Sequence, residues 1–338
     1  MNKHIAAYGE IMMRLTVPDN MLLRQADTLN YSFTGTGVNV TGLLSQFGYQ
    51  TSLISSVPDN SIGTTSISAI RRLGINSDYI LKRHNNLGMY FLEEGYGNRP
   101  SNVTYTNRKE SSFNTVELSQ YKIDNILDDI DVLHICGISL AMNEMMRQNI
   151  LELVKAAKQN NVLVVFDCNF RPSLWGDNGN EKAKPYYETI LNEADIVLMN
   201  EKDAIYTLGI GSDKETKEEQ LEEVLPIVSK KYNIPIIAGT KRIIKDNSHN
   251  VLKGYLFKNN RIYYSKNYEV TILDRIGTGD AYTCGIIHGE LSDMKPQEIV
   301  EFSTASCSFA HTISGDTPLF SADDIIKVMS NEINDIER

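Results

Sequence analysis

Val162-Leu163-Val164-Val165-Phe166-Asp167 is an unbroken apolar run closed by an acid, and its pattern sets the fold class. A strand with one wet face alternates apolar and polar side chains. One covered by helices on both faces is apolar throughout, as in parallel sheets. Similar short β-rich runs recur at 5–8, 52–56, 132–135, 196–199, 235–238 and 254–257. Helix-periodic segments lie between them at 38–47, 63–73, 143–159, 201–208 and 217–231. The alternation predicts an α/β fold, doubly wound on a mainly parallel sheet. Ligands in such sheets bind beyond the carboxyl ends of the strands. Segments 12–33 and 87–107 break the pattern by alternating polar with apolar and aromatic residues, as in Met89-Tyr90-Phe91-Leu92. They are expected to form a small antiparallel sheet, placed as a lid over the site. No linker and no internal repeat divides the 338 residues, so 1–338 are expected to form one domain.

Composition excludes several partner classes. The chain is 41% hydrophobic, enough for a substantial core. It carries 33 basic against 43 acidic residues, net −10, which disfavours nucleic acid or an anionic membrane as partner. No stretch approaches the roughly 20 apolar residues of a membrane span, and the first ten residues lack a signal-peptide pattern. Cys136, Cys168, Cys284 and Cys307 stand far apart, without metal-ligand or CxxC spacing. Buried thiols and a cytoplasmic location are expected.

The chemistry concentrates at loop-to-helix junctions. Asp274-Arg275-Ile276-Gly277-Thr278-Gly279-Asp280-Ala281 puts two glycines and an acid where a loop enters a helix. Glycine lets backbone amides crowd a ligand, and helix N-termini attract anions. An acid there would repel a phosphate unless it handles a proton, so Asp280 is expected to act as a base beside an anion hole. Gly35-Thr36-Gly37-Val38-Asn39 opens an earlier helix. It does not complete the dinucleotide fingerprint, because Thr41 stands where glycine or alanine belongs, and no G-x-x-x-x-G-K-[ST] loop occurs. After Phe166, Asp167, Asn169 and Arg171 are expected on one side of an extended segment, with Arg171 suited to a carboxylate or phosphate. Asn200 and Asp203 open a helix as a cap or hold Mg²⁺ through water. Gly239-Thr240-Lys241-Arg242 lies along a nucleotide or forms a solvated basic turn.

Together these motifs resemble the PfkB family of carbohydrate kinases, with the ribokinase-like fold: three α/β/α layers, a mainly parallel central sheet and a small β-sheet lid. The carboxyl-terminal signature appears at 274–287 and the amino-terminal one from Gly35 to Asn39, continuing to Gly48 and Gly63. Within the family the chain is most similar to 2-keto-3-deoxygluconate kinases, through Asp167-x-Asn169-x-Arg171-Pro172-x-Leu174-Trp175, Asp274-Arg275 and Gly315-Asp316. The family's Asn-x-x-Glu is here Asn200-x-x-Asp203, and the Tyr105 to Arg108 stretch is one residue longer than usual.

The resemblance implies transfer of the γ-phosphoryl of ATP, with Mg²⁺, to a primary hydroxyl of an acidic sugar. Asp280 would be the base, with the amides of Gly277, Thr278 and Gly279 as anion hole. Gly35, Gly37, Asn39 and Asp316 would hold sugar hydroxyls, and Tyr90, Tyr105, Arg108 and Arg171 the sugar carboxylate and the lid. Asn169, Arg171, Thr240 and Lys241 would lie beside ATP, and Asn200 and Asp203 near the metal, through water. A homodimer or higher homo-oligomer is expected, because an exposed apolar lid commonly needs a partner surface. Rivals are a fructokinase or other neutral-sugar kinase, a non-catalytic sugar-binding regulator, and an NAD-dependent oxidoreductase lacking its glycine fingerprint.

Overall fold

The computed structural model describes residues 3–246 and 249–330. Its strands are β1 His4–Tyr8, β2 Met12–Thr16, β3 Asn30–Thr34, β4 Gln50–Val57, β5 Ile80–Lys82, β6 Gly88–Glu93 and β7 Asn102–Thr106. They continue with β8 Val132–Cys136, β9 Leu163–Asp167, β10 Ile196–Leu198, β11 Ile236–Ile244, β12 His249–Lys258, β13 Arg261–Tyr264 and β14 Tyr268–Thr271. The helices are α1 Thr36–Gln46, α2 Ser61–Arg72, α3 Ser112–Thr115, α4 Ile123–Asp129, α5 Glu144–Gln159, α6 Pro172–Trp175, α7 Gly179–Leu191, α8 Lys217–Tyr232, α9 Thr278–Leu291, α10 Pro296–Ala310 and α11 Ala322–Ser330.

The large sheet runs β13-β12-β11-β10-β9-β8-β1-β4-β5, with β14 pairing β12. From β11 to β5 every pairing is parallel, and the β11–β12–β13 edge is antiparallel. The apolar run at 162–167 behaves as its pattern predicts. Val164 and Phe166 pack into the cluster shared with Leu153 of α5, Tyr187 of α7 and Val224 of α8. Val165, one residue out of phase, packs with Leu43 of α1, Ile286 of α9 and Phe302 of α10. Side chains of successive strand residues point to opposite faces, so helices must cover both, and the three-layer ribokinase-like architecture follows.

The two exceptional segments form the separate sheet β3-β2-β6-β7, which is mixed rather than antiparallel throughout: each segment is an antiparallel pair, and β2 and β6, which join the two, run parallel. Register places Arg14 opposite Tyr90, and Tyr90 opposite Tyr105, so these three share one face. Met13, Leu15, Met89 and Phe91 occupy the alternate positions, hence the other face, with Tyr31 beside Leu15.

The structure departs from sequence expectation in three further places. The strand expected at 235–238 extends to Ile244 and that at 254–257 begins at His249, because the two form one long hairpin whose polar tip hid its pattern. The helix expected at 201–208 contains a π-helical turn at Asp203–Thr207. The extended alternation expected beyond Asp167 fails, since Asn169 takes φ +36° and its amide donates to Asp167 Oδ1 at 3.1 Å. Asn tolerates this left-handed backbone better than most residues. Among the described residues no helix is long and apolar enough to cross a membrane.

Candidate active site

Helix α9 begins at Thr278, and its N-cap Gly277 has φ +78° with no side chain capping the helix. A Cβ on Gly277 would lie 1.9 Å from the Asp316 carbonyl oxygen, so glycine is required both by conformation and by close approach. Gly279 differs: it is exposed, and a Cβ there would meet nothing within 4 Å. The first-turn amides of a helix have no intrahelical acceptor, so this end presents open donors to open space, a ready anion cradle.

Asp280 stands in that first turn, 8% exposed. Its Oδ2 accepts a hydrogen bond from Asn39 Nδ2 at 2.7 Å. Burial pushes its carboxyl well above the usual range. The Asn39 bond opposes that rise, Asp167 and Asp316 add to it, and Arg171 counters it. A carboxylate so raised is a stronger base than a free one. Asn39 is itself fixed, since Thr317 Oγ1 donates to its Oδ1 at 2.7 Å. The Thr34 hydroxyl sits 3.1 Å from the same oxygen and 2.6 Å from Asp316 Oδ2.

On the neighbouring strand ends, burial raises the Asp167 carboxyl to about 6 and that of Asp203 to about 7, and Arg171 partly offsets both. Arg171 is exposed and makes no ion pair among the described residues. Asn200 acts as a cap, its Oδ1 accepting from the Lys202 and Asp203 amides at 2.8 and 3.2 Å, while Asp203 Oδ2 accepts from the Asn200 amide. Among the described residues no three His, Cys, Asp or Glu side chains form a metal cage. The crowded acids Asp167, Glu201 and Asp203 fit an ion held mainly by phosphate oxygens and water, which is how Mg²⁺ is usually bound.

The lid face contributes Tyr90, Tyr105 and Arg14. Tyr90 OH donates to Asp316 Oδ2 at 2.5 Å, and burial and that acid raise its pKa. Arg108, just beyond β7, is buried. Its Nε donates to Glu10 Oε2 at 2.9 Å, and its guanidinium lies 4.9 Å from the Tyr105 ring centre. Its Nη1 is buried and has no hydrogen-bond partner among the described residues, a costly state unless something else accepts.

Several expected contacts take a different form. Asn39 faces Asp280 and two threonines, and Asp316 is engaged by Arg14, Thr34 and Tyr90, so both are already committed inside the protein. Gly37 is buried against Leu53, Ala7 and Gly9, and a Cβ on Gly35 would strike the Glu10 carbonyl. Gly37 therefore lets α1 approach β1 and β4 closely, and Gly35 lets the start of α1 approach the loop after β1. Lys241 Nζ lies 3.4 Å from Glu218 Oε1, on strand β11 with Thr240 beside it. Asn169 Nδ2 donates to Cys136 Sγ at 3.2 Å. Residues that sequence reasoning missed are Arg14, Glu10, Thr34 and Thr317, together with the structural work of Asp274, whose Oδ1 accepts from the amides of Arg275 and Ile276.

The sequence profile of the pfkB family carbohydrate kinases matches residues 2–321. The chain belongs to that family. A solved structure from Enterococcus faecalis, carrying the provisional name 2-keto-3-deoxygluconate kinase, is 37% identical with a TM-score of 0.95, covering 100% of this chain and 99% of that one. The 2-dehydro-3-deoxygluconokinase of Thermotoga maritima is 29% identical with a TM-score of 0.93, covering 98% of this chain and 99% of that one. The 2-dehydro-3-deoxygalactonokinase of Haloferax volcanii is 23% identical over the full length of both chains. The protein is thus a carbohydrate kinase of ribokinase-like fold.

Proposed function

We propose that this kinase transfers the γ-phosphoryl group of ATP to a primary hydroxyl of an acidic keto-deoxy sugar, 2-keto-3-deoxygluconate being converted to its 6-phosphate. The observation that carries this is the buried Asp280 in the first turn of α9, one residue from the exposed, unobstructed Gly279. Asp280 accepts the hydroxyl proton as the new bond forms, so it need not strip the alcohol beforehand. The amides of Gly277, Thr278 and Gly279 hold the migrating group's charge. Such transfers depend mainly on positioning and charge stabilisation.

The acidic substrate is supported by Arg108 Nη1, a buried donor without an acceptor among the described residues, and by Arg171, exposed and in no ion pair among them. A sugar carboxylate would supply the acceptor that a neutral sugar lacks. Tyr90 and Tyr105 line the same lid face, and Gly35, Gly37, Asn39 and Asp316 shape the sugar side. Asn169, Thr240 and Lys241 flank the nucleotide. Asn200 and Asp203 would hold Mg²⁺ through water. Bound Mg²⁺ would neutralise charge on the β- and γ-phosphate oxygens.

A homodimer fits the outer lid face, where Tyr31 is 61% exposed beside Leu15 and Phe91. Four buried free cysteines fit a reducing, cytoplasmic setting. ADP release measured side by side with 2-keto-3-deoxygluconate, its galactonate-derived epimer and fructose tests the assignment. Turnover with an acidic sugar at least about tenfold above fructose is expected, given the strength of charge-assisted recognition. Equal or greater turnover with fructose would make it a neutral-sugar kinase, and no ADP release with any sugar would favour a binding regulator.

A further inference from the structure

Arg14 is a heavily engaged charge outside the roles assigned above. It lies on lid strand β2 and is 3% exposed. Its Nε donates to Thr16 Oγ1 at 2.8 Å. Its Nη1 donates to Asp316 Oδ1, and its Nη2 to Asp274 Oδ2 at 3.0 Å and to Glu94 Oε1 at 3.2 Å. Asp274 and Asp316 are 260 and 302 residues away in sequence, so one lid side chain ties two loops of the body.

Those loops build the anion cradle. Asp274 Oδ1 accepts from the amides of Arg275 and Ile276 at 2.7 and 3.0 Å, and its Oδ2 also accepts from the Gly315 amide at 3.1 Å. One carboxylate thus fixes the backbone directly before Gly277 and joins it to the loop holding Asp316. The Asp316 carbonyl is in turn the atom that a Cβ on Gly277 would strike. From Asp316 the contacts run through Thr34 to Asn39 and Asp280. Ile276 packs against Met12, Tyr90 and Leu92 of the lid, so the same loop is also held by apolar contact.

A plain stabilising ion pair explains this poorly. Buried salt bridges are weak sources of net stability, and here one guanidinium faces three carboxylates. Burial and the nearby Asp274 raise the Glu94 carboxyl, and Arg14 only partly reverses this. The planar fork of arginine suits simultaneous contact with two loops, which a lysine point charge does not.

We propose that Arg14 is a positioning residue for phosphoryl transfer: by gripping Asp274 and Asp316 together it locks the loop before Gly277 into its anion-binding shape only while the lid is docked. The proposal rests on the kinase function argued above. It predicts that losing the fork loosens the cradle and the placement of Asp280, lowering turnover and nucleotide affinity.

The test compares wild type, Arg14→Lys and Arg14→Met, using the full chain and whichever sugar the wild type phosphorylates best. Turnover per folded molecule should fall at least about tenfold in both variants, by analogy with displaced catalytic groups. Calorimetric affinity for a non-hydrolysable ATP analogue should fall at least about threefold. Adding Asp274→Asn to Arg14→Met should cost little more, because residues acting through one network are non-additive. If Arg14→Met fails to fold, Arg14→Lys carries the comparison. Turnover and analogue affinity within twofold of wild type, with only the melting temperature lowered, would overturn the proposal and leave Arg14 a structural residue. Should the wild type phosphorylate no sugar, the kinase assignment fails, and the analogue affinity still decides the role of Arg14: unchanged affinity overturns it.

Discussion

Replacing Asn39 with alanine should move the acidic limb of the pH–rate profile upward. Asn39 Nδ2 donates to Asp280 Oδ2 at 2.7 Å and is the foremost influence holding that carboxyl down against burial. A hydrogen bond to a charged group contributes about 1.5–3 kcal/mol, and one pKa unit corresponds to about 1.4 kcal/mol. Loss of the bond should therefore raise the Asp280 pKa further, by the free energy that bond supplies to the ionised form. The sign follows from its role: the base must be ionised to accept the hydroxyl proton, so activity is lost as pH falls through its pKa. A raised pKa brings that loss at higher pH. The assay is kcat by coupled ADP release from about pH 5 to about pH 10, which reports ionisation in the ternary complex. A uniform drop with the limb unmoved, or a limb displaced to lower pH, would refute the assignment of Asn39 as the tuner of Asp280.

Gly279→Ala should leave the melting temperature within about 2 °C, since its Cβ meets nothing, yet raise the KM for ATP about tenfold by filling the phosphate cradle. Gly277→Ala should instead cost about 1–3 kcal/mol or more in denaturant unfolding, from its φ of +78° and the Asp316 carbonyl in its way. Arg171→Ala, at an exposed residue in no ion pair among the described residues, should lower kcat/KM for acidic sugars about 10- to 100-fold with fructose turnover unchanged. Equal loss on both would count against carboxylate recognition. Asp203 has a folded-state carboxyl raised to about 7, above its unfolded value of about 4, so the unfolded chain ionises first and stability falls as pH rises between the two. Asp203→Asn should flatten the melting temperature over that window in thermal scans, and an unaltered slope would assign the pH dependence to other groups.

Local pattern made much of the fold legible. The apolar run ending at Asp167 required helices on both faces, and Val164 and Val165 do point to opposite layers. The lid was legible because its half-exposed strands alternate, a period that local sequence records directly. The glycine–acid junction at 277–280 was legible because loop-to-helix geometry leaves its mark in residue type. What stayed hidden depends on chain meeting chain. Arg14 looks like an ordinary polar position on a strand until Asp274 and Asp316 arrive from the other end of the sequence. Lys241 reads as a free cation until Glu218 on α8 packs beside it. Asn169 breaks an alternation that backbone periodicity alone would have continued.

The most direct test of phosphoryl transfer through Asp280 is the turnover of Asp280→Asn with ATP and the preferred acidic sugar. Asparagine preserves the shape of the side chain but cannot take a proton, so kcat should fall by at least about a hundredfold, with sugar affinity within a few-fold. Turnover close to wild type would contradict the account.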